Sequence, residues 1–278
     1  MAKLAIFVNF AEYMLNTMKA AIIQSDIRWC EPEENHRLLK ELMLEHKGAG
    51  IFVLPEMFST GFATQPAECA EKEPSVSLEW MKRTADELDA AIVGSVSLQA
   101  GDGSFRNRCY FVKPDGSYEF YDKRHLFTYG GEHLRYASGD RRVIVEFRGV
   151  RFLLTVCYDL RFPMWSRNRN EYDAAICVAS WPIARADVWK TLIRARAIEN
   201  QCWFLAVNRV GDDPTPLHYS GDSAIIDPYG HPAAECTPEK VSVAEAELDM
   251  DALIAFREKF PVLKDTVIYS DWKNESFQ

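Results

Sequence analysis

The stretch Arg151–Pro163, RFLLTVCYDLRFP, decides how the chain is read. Phe152 to Val156 is an apolar run of the length and composition expected of a buried strand. It stops at Cys157. A polar turn, Tyr158-Asp159-Leu160-Arg161, follows, and Pro163 suits the first turn of a helix. A thiol therefore stands where a strand meets a helix, a place where backbone N–H groups lack partners and the helix dipole favours negative charge. Both effects favour a thiolate and an oxyanion formed beside it. The competing reading makes Cys157 a buried structural cysteine, because free cysteine is among the most buried residue types.

Working outward, Val143–Phe147 pairs with Val150–Val156 in a hairpin turned at Arg148-Gly149. Upstream, Lys19 to Gln24 reads as a first strand. A helix entered at Pro32 carries the apolar stripe Leu38, Leu39, Leu42 and Met43. Ile51 to Leu54 is a short buried strand that runs into Glu56. A second amphipathic helix spans Ser75 to Leu88, and Ala91 to Leu98 returns as a strand. Arg108–Val112 and Tyr118–Tyr121 form a hairpin around Lys113-Pro114-Asp115-Gly116, with Lys123 just past its end. Leu126 to Ser138 is an irregular loop holding Glu132. Downstream, Ala174–Ala179 is a strand closing on Ser180-Trp181-Pro182. A helix capped at Asp187 turns Leu192, Ile193, Ala197 and Ile198 inward, and Trp203–Val207 is a strand. Ala224–Ile226 and Val241–Leu248 are expected to pair as a hairpin turned at Asp227-Pro228-Tyr229-Gly230. A last helix spans Asp251 to Lys259.

Strand–helix alternation with intervening hairpins implies mixed sheets with helices packed outside. Two such sheets stacked face to face absorb this many apolar strands in one α+β domain. No linker or low-complexity run divides the chain, and there is no short-period repeat. Residues 1–17 read as an extension. Lys3 precedes the apolar Leu4–Val8, but Asn9 and Glu12 interrupt it and no small-residue cleavage pattern follows. The domain is expected over 18–262, beginning at Met18, with 263–278 as a tail.

The bulk composition narrows the function classes. Hydrophobic residues make up 47% and charged residues 26% of the 278, an ordinary globular balance. The formal charge of −9 argues against nucleic acid or an anionic membrane as main partner. No apolar run is long enough to span a bilayer. The seven cysteines are odd in number and show no C-x-x-C pair. They read as reduced thiols of a cytoplasmic protein rather than a disulfide framework. The six histidines include no H-x-H or H-E-x-x-H pattern, so a metal site has no support.

Glu56, Lys123 and Cys157 share one feature: each directly follows a strand, where substrate sites collect in sheet-based folds. Taken singly, each has a plainer reading, as a solvated loop carboxylate, a surface lysine and a core thiol. Together their chemistry is coherent. A thiol needs a base, a partly buried carboxylate serves as one, and an ammonium beside them holds a developing oxyanion.

The segments LPEMFSTGF, YDKRHLF and CYDLRFP resemble the three signature segments of the nitrilase, or carbon–nitrogen hydrolase, superfamily, whose triad is Glu–Lys–Cys. The similarity runs from about Lys19 to about Pro261. CYDLRFPMWSRN, ASWP, RARAIENQ, VNRVG and YSGDSAIIDPYG further resemble the bacterial omega-amidase branch, which hydrolyses the terminal amide of 2-oxo-dicarboxylic acid monoamides. Met164 departs from that pattern, standing where many relatives carry glutamate.

The resemblance implies a four-layer αββα sandwich. It implies that Glu56 acts as general base on Cys157, that Cys157 attacks the amide carbon, and that Lys123 with the Tyr158 backbone N–H holds the oxyanion. Glu132 matches an additional active-site glutamate of the family, expected to orient substrate or Lys123. No metal or organic cofactor is implied, and a homodimer is expected by analogy. The substrate carboxylate calls for a cation. Arg161 is the candidate by nearness to Cys157, its alternative being a structural salt bridge. Phe62 and Trp181 are candidates for an apolar pocket wall, their alternative being the core.

Rival readings remain at this level. An N-carbamoyl amino acid hydrolase or a nitrile hydrolase would share the superfamily, although Cys157-Tyr158-Asp159 disfavours the nitrile branch. A Cys–His protease using His125 or His133 leaves Lys123 and Glu56 unexplained. A degenerate scaffold would keep the fold but block the pocket.

Overall fold

A computed structural model of the protein describes residues 16–265. The expected extension and tail fall largely on 1–15 and 266–278, outside the described residues.

Two sheets form the middle of the molecule. The first runs in the order Ser242–Asp249, Thr17–Gln24, Ile51–Val53, Ala91–Gln99, Phe105–Val112, Tyr118–Asp122, with the short Glu71–Lys72 strand added beside Ala91–Gln99. The second runs Pro232–Glu235, Ala224–Ile226, Trp203–Asn208, Ala174–Ala179, Val150–Val156, Ile144–Phe147. Side-chain alternation explains the layering. In the first sheet Ala20, Ile22, Ile51, Val53, Ala91, Val93 and Phe111 point inward to the second sheet. Their neighbours Ala21, Ile23, Phe52, Leu54, Ile92 and Val112 point outward. Both sets are apolar, so the strands read as continuous hydrophobic runs. The outward set packs under Leu39 and Met43 of the helix Pro32–Glu45 and Leu78, Met81 and Ala85 of the helix Val76–Leu88. The helix Ala186–Asn200 covers the other sheet through Trp189, Ile193 and Ala197. Between the sheets, the Phe111 ring meets Phe152 and Phe147 at centroid distances of 5.6 and 5.9 Å. The result is the expected four-layer αββα sandwich in a single domain.

Five local expectations are corrected. Ala224–Ile226 turns at Asp227–Gly230 as read, but its partner is Pro232–Glu235. Ser242–Asp249 instead crosses to the first sheet and pairs antiparallel with Thr17–Gln24 at all eight positions. The three-residue Ala224–Ile226 strand offers far fewer ladder bonds, so the longer pairing wins. Asp187 lies inside the first turn of its helix, where Arg185 occupies the cap position without a side-chain bond. On that helix Ile198 is 53% exposed. It sits one residue past the inward Ala197 and lies over Gly230, where a built Cβ would come within 2.5 Å of its Cδ1.

Pro163 does open a helix, but one of only four residues, Pro163–Ser166, and the polar turn Cys157–Arg161 before it is a 3₁₀ helix. Finally, Cys30 and Cys69 form a disulfide, with Cα atoms 5.5 Å apart, so the expectation of reduced thiols throughout fails for these two. Cys69 ends the short helix Pro66–Cys69 and Cys30 occupies a left-handed turn. These loop positions are brought together by chain folding that no cysteine spacing reports.

Candidate active site

The strands Ile51–Val53, Tyr118–Asp122 and Val150–Val156 deliver Glu56, Lys123 and Cys157 to one place. The first two come from one sheet and Cys157 from the other. Glu56 and Lys123 are completely buried and joined by a 2.8 Å bond from Nζ to Oε1. On its other side the ammonium donates to Glu132 Oε2 at 2.9 Å and Oε1 at 3.2 Å. One cation is thus held between two carboxylates. Glu56 Oε2 accepts the Ser180 backbone N–H at 2.8 Å, a bond that ties the two sheets together. Glu132 Oε2 accepts the Phe127 backbone N–H at 2.6 Å, fixing the irregular loop.

Asn107 completes the cluster. Its Nδ2 donates to Glu56 Oε1 at 2.7 Å and to Glu132 Oε1 at 3.1 Å.

Charge and burial set the protons. Burial pushes the Glu56 carboxyl up, the Lys123 ammonium pulls it down, and Glu132 adds to the rise, so it stands above the ordinary carboxylate value. Lys123 would lose affinity for its proton on burial alone, but Glu132 and Glu56 hold it well above the usual lysine value. Burial also raises the Cys157 thiol, as does the charge of Glu56, and Lys123 only partly offsets them. This corrects the expectation of a thiolate favoured by a helix start. The helix is too short and desolvation too strong, so the free site holds a protonated thiol beside a carboxylate of raised proton affinity.

Backbone geometry aims the sulfur. Cys157 has φ +47°, a left-handed conformation uncommon for a side-chain-bearing residue, at the first position of the 3₁₀ turn. Asp159 fastens that turn. Its Oδ2 accepts the Val156 N–H at 3.0 Å and the Tyr121 hydroxyl at 2.7 Å, and its Oδ1 accepts the His125 N–H at 2.9 Å. The His125 ring is committed to Asp159 at 2.8 Å and stacks on Phe162 at 3.8 Å. It is absent from the lining that contains Cys157, and His133 is exposed. The Cys–His reading therefore has no geometric basis.

A cavity of about 340 Å³ opens onto these groups, so the pocket is not blocked as a degenerate scaffold would require. Glu56, Lys123 and Cys157 line it together with Phe62, Tyr158, Arg161 and Trp181. The Phe62 ring lies 5.4 Å from Lys123 Nζ, and Arg161 lies 5.0 Å over the Trp181 ring. Arg161 makes no ion pair with any described residue, which removes the structural salt bridge as its explanation. Glu132 lies behind the wall, reaching the site through Lys123. Met164 is half exposed and does not line the cavity.

Sequence reading missed Asn107, the Ser180 N–H and Arg185. A buried Asn107 in the strand Phe105–Val112 was the one available signal, since an amide there needs partners. Arg185 also lines the cavity.

The chain as a whole has similar known proteins. The chain is 46% identical over 252 residues to the omega-amidase YafV of Yersinia enterocolitica, covering 91% of this chain and 98% of that protein. It is 35% identical to the 2-oxoglutaramate amidase of Bacillus subtilis, covering 87% and 95% respectively. A crystal structure of a CN-hydrolase superfamily protein from Xanthomonas campestris, with an arsenic adduct in its active site, superposes with a TM-score of 0.88 at 41% identity, covering 91% of this chain and 98% of that one. The model of the carbon–nitrogen hydrolase family matches residues 19–258, a span that takes in both sheets and every strand end feeding the cavity. The chain belongs to the carbon–nitrogen hydrolase family.

Proposed function

We propose that the protein hydrolyses the terminal amide of small 2-oxo-dicarboxylic acid monoamides, of the 2-oxoglutaramate and 2-oxosuccinamate type, to the acid and ammonia. The observation that carries this reading is the Lys123 ammonium held between Glu56 and Glu132 in the cavity that Cys157 lines. Similarity to omega-amidases and a 2-oxoglutaramate amidase supports the substrate class.

In this mechanism Glu56 takes the thiol proton as the Cys157 sulfur attacks the amide carbon. The carbonyl electrons move onto oxygen, and the Lys123 ammonium and the Tyr158 backbone N–H hold the oxyanion. When the oxyanion collapses, the C–N bond breaks and Glu56 passes its proton to the departing nitrogen, releasing ammonia and leaving a thioester. Glu56 then deprotonates a water, which attacks the thioester carbon. The C–S bond breaks, the acid leaves and Cys157 regains its proton. Two carboxylates serve one ammonium for a reason: Glu132 keeps Lys123 charged and placed while Glu56 cycles between its two protonation states. Arg161, unpaired on the cavity wall, receives the substrate carboxylate, and Phe62 and Trp181 enclose the carbon chain.

The same reading takes 18–262, with Thr17 adding the first residue of its leading strand, as the catalytic domain of a cytoplasmic homodimer. Among the described residues no helix is long and apolar enough to cross a membrane.

Ammonia release from a panel of 2-oxo amides, N-carbamoyl amino acids and nitriles tests the proposal. The 2-oxo amides are expected to give the highest kcat/KM. Faster turnover of a carbamoyl amino acid or a nitrile would overturn the substrate assignment, and no release from any of them would overturn the enzyme.

A further inference from the structure

We infer that Arg185 is a second carboxylate-binding cation, and that with Arg161 it makes the pocket selective for amides bearing a free 2-oxo acid group. This rests on the amidase reading above. Other half-buried arginines of this chain find a carboxylate: Arg106 pairs with Asp102, Arg142 with Glu171, and Arg151 and Arg257 both with Asp173. Arg161 and Arg185 do not. Both line the cavity, and neither pairs with an acidic side chain among the described residues. Their guanidinium groups instead rest on aromatic rings, Arg161 over Trp181 at 5.0 Å and Arg185 over Phe127 at 5.3 Å.

A half-desolvated guanidinium with no anion is poorly satisfied, and a planar carboxylate suits its fork of donors. Ring stacking holds such a group in place without using up its in-plane N–H donors.

Trp181 couples the two cations. Its indole N–H donates to the Arg185 carbonyl at 2.8 Å, while its ring carries Arg161. Arg185 is further fixed as the residue entering the helix Ala186–Asn200, its own N–H bonded to the Pro182 carbonyl at 3.0 Å. The indole thereby carries the Arg161 guanidinium and anchors the Arg185 main chain, from which the Arg185 guanidinium reaches the Phe127 ring. A 2-oxo acid offers a carboxylate and a neighbouring carbonyl oxygen in one plane, more acceptors than one guanidinium satisfies. A second cation answers that surplus. The acidic Asp213 in the same lining does not compete, because its carboxylate oxygens accept from the Tyr219 and Thr215 hydroxyls.

The test compares steady-state ammonia release from 2-oxoglutaramate and from its methyl ester, which keeps the amide and loses the carboxylate charge. Wild type, Arg185→Gln and Arg185→Lys are measured. Arg185→Gln is expected to lower the preference for the acid over the ester about tenfold to a hundredfold, the range of a lost charge-assisted hydrogen bond. The loss should appear in KM for the acid rather than in kcat, and Arg185→Lys should recover part of it. Equal losses on acid and ester would make Arg185 a structural residue and overturn the inference, as would an unchanged preference. Wild-type protein that releases no ammonia from 2-oxoglutaramate overturns the amidase reading and this inference with it. Wild-type turnover with no effect of Arg185→Gln overturns the inference alone.

Discussion

Lys123 Nζ lies 2.8 Å from Glu56 Oε1, and neither side chain reaches solvent. The two charges offset each other's desolvation, and Glu132 and Asn107 take up the remaining bonding capacity. Removing one member of a buried ionic group strands the others. Lys123→Ala is therefore expected to lose on two counts. Turnover should fall about a hundredfold to a thousandfold through the missing oxyanion donor. Unfolding in urea should show a loss of about 3–5 kcal/mol from the stranded carboxylates. Adding Glu132→Gln to Lys123→Ala removes one stranded charge, so stability should partly return while ammonia release does not. A Lys123→Ala protein with near-normal turnover would contradict the oxyanion role.

Cys157 is the free cysteine that opens onto the cavity. Cys109, Cys177, Cys202 and Cys236 are buried in the core, and burial pushes the Cys177 thiol up to about 12 and the Cys236 thiol up to about 11. The Cys157 thiol is raised too, so its advantage is access and the neighbouring base rather than a standing thiolate. A neutral alkylating amide is expected to modify Cys157 first, as read by peptide mass mapping, with loss of turnover tracking its modification. Cys157→Ala should abolish ammonia release and leave the unfolding midpoint nearly unchanged. Equal labelling of all free cysteines would contradict the assignment.

What the sequence made legible follows from burial. Ile51–Leu54 and Phe152–Val156 read clearly because both faces of their strands are covered, and Glu56 and Cys157 stand out because a polar residue ends each run. Lys123 was visible only as the residue past a hairpin. Strand partnership was not legible beyond neighbours: Ser242–Asp249 and Thr17–Gln24 lie at opposite ends of the described chain, and nothing local in either marks the other. Asn107 alternates with arginines along its strand, so its burial depends on which face the first sheet turns to the site. Arg185 lies in a turn whose path is set by a bond from Trp181, and turns formed by tertiary bonds leave no periodic signal.

His36 gives the fold its own response to pH. It is buried on the helix Pro32–Glu45, stacked on Trp80 with centroids 4.6 Å apart. Its Nε2 meets Ser77 Oγ at 2.8 Å. The Ser77 hydroxyl donates to Glu71, so the imidazole Nε2–H donates to Ser77. Burial holds its proton affinity down to about 4, against an ordinary 6.5, with Glu71 opposing the shift and Arg83 adding to it. Between these values the unfolded chain binds the proton and the folded chain does not. Stability is then fully present above about 6.5 and falls as the pH drops toward 4, by about 2 kcal/mol at pH 5. Urea unfolding of wild type and His36→Gln at pH 7 and pH 5 checks this. The difference between the two proteins should shift by that amount in favour of His36→Gln at the lower pH, and parallel curves would refute it.

Asn107 should control the acid side of the activity profile. Its Nδ2 gives one proton to Glu56 and the other to Glu132, and its backbone carbonyl accepts the Lys123 backbone N–H at 2.9 Å. A donor to a carboxylate favours the ionised form. In the proposed mechanism Glu56 must be ionised to accept the thiol proton, so kcat/KM is expected to fall as the pH drops through its raised value. Asn107→Ala removes the donor, which raises that value further. The acid limb should move to higher pH, with activity at neutral pH lowered and partly regained in alkaline buffer. Asn107→Asp places a third carboxylate against the pair and should move the limb in the same direction by more. Profiles of kcat/KM against pH for the three proteins decide the matter. A uniform loss at every pH, with the limb unmoved, would mean that Asn107 only supports the strand and does not set the proton affinity of Glu56.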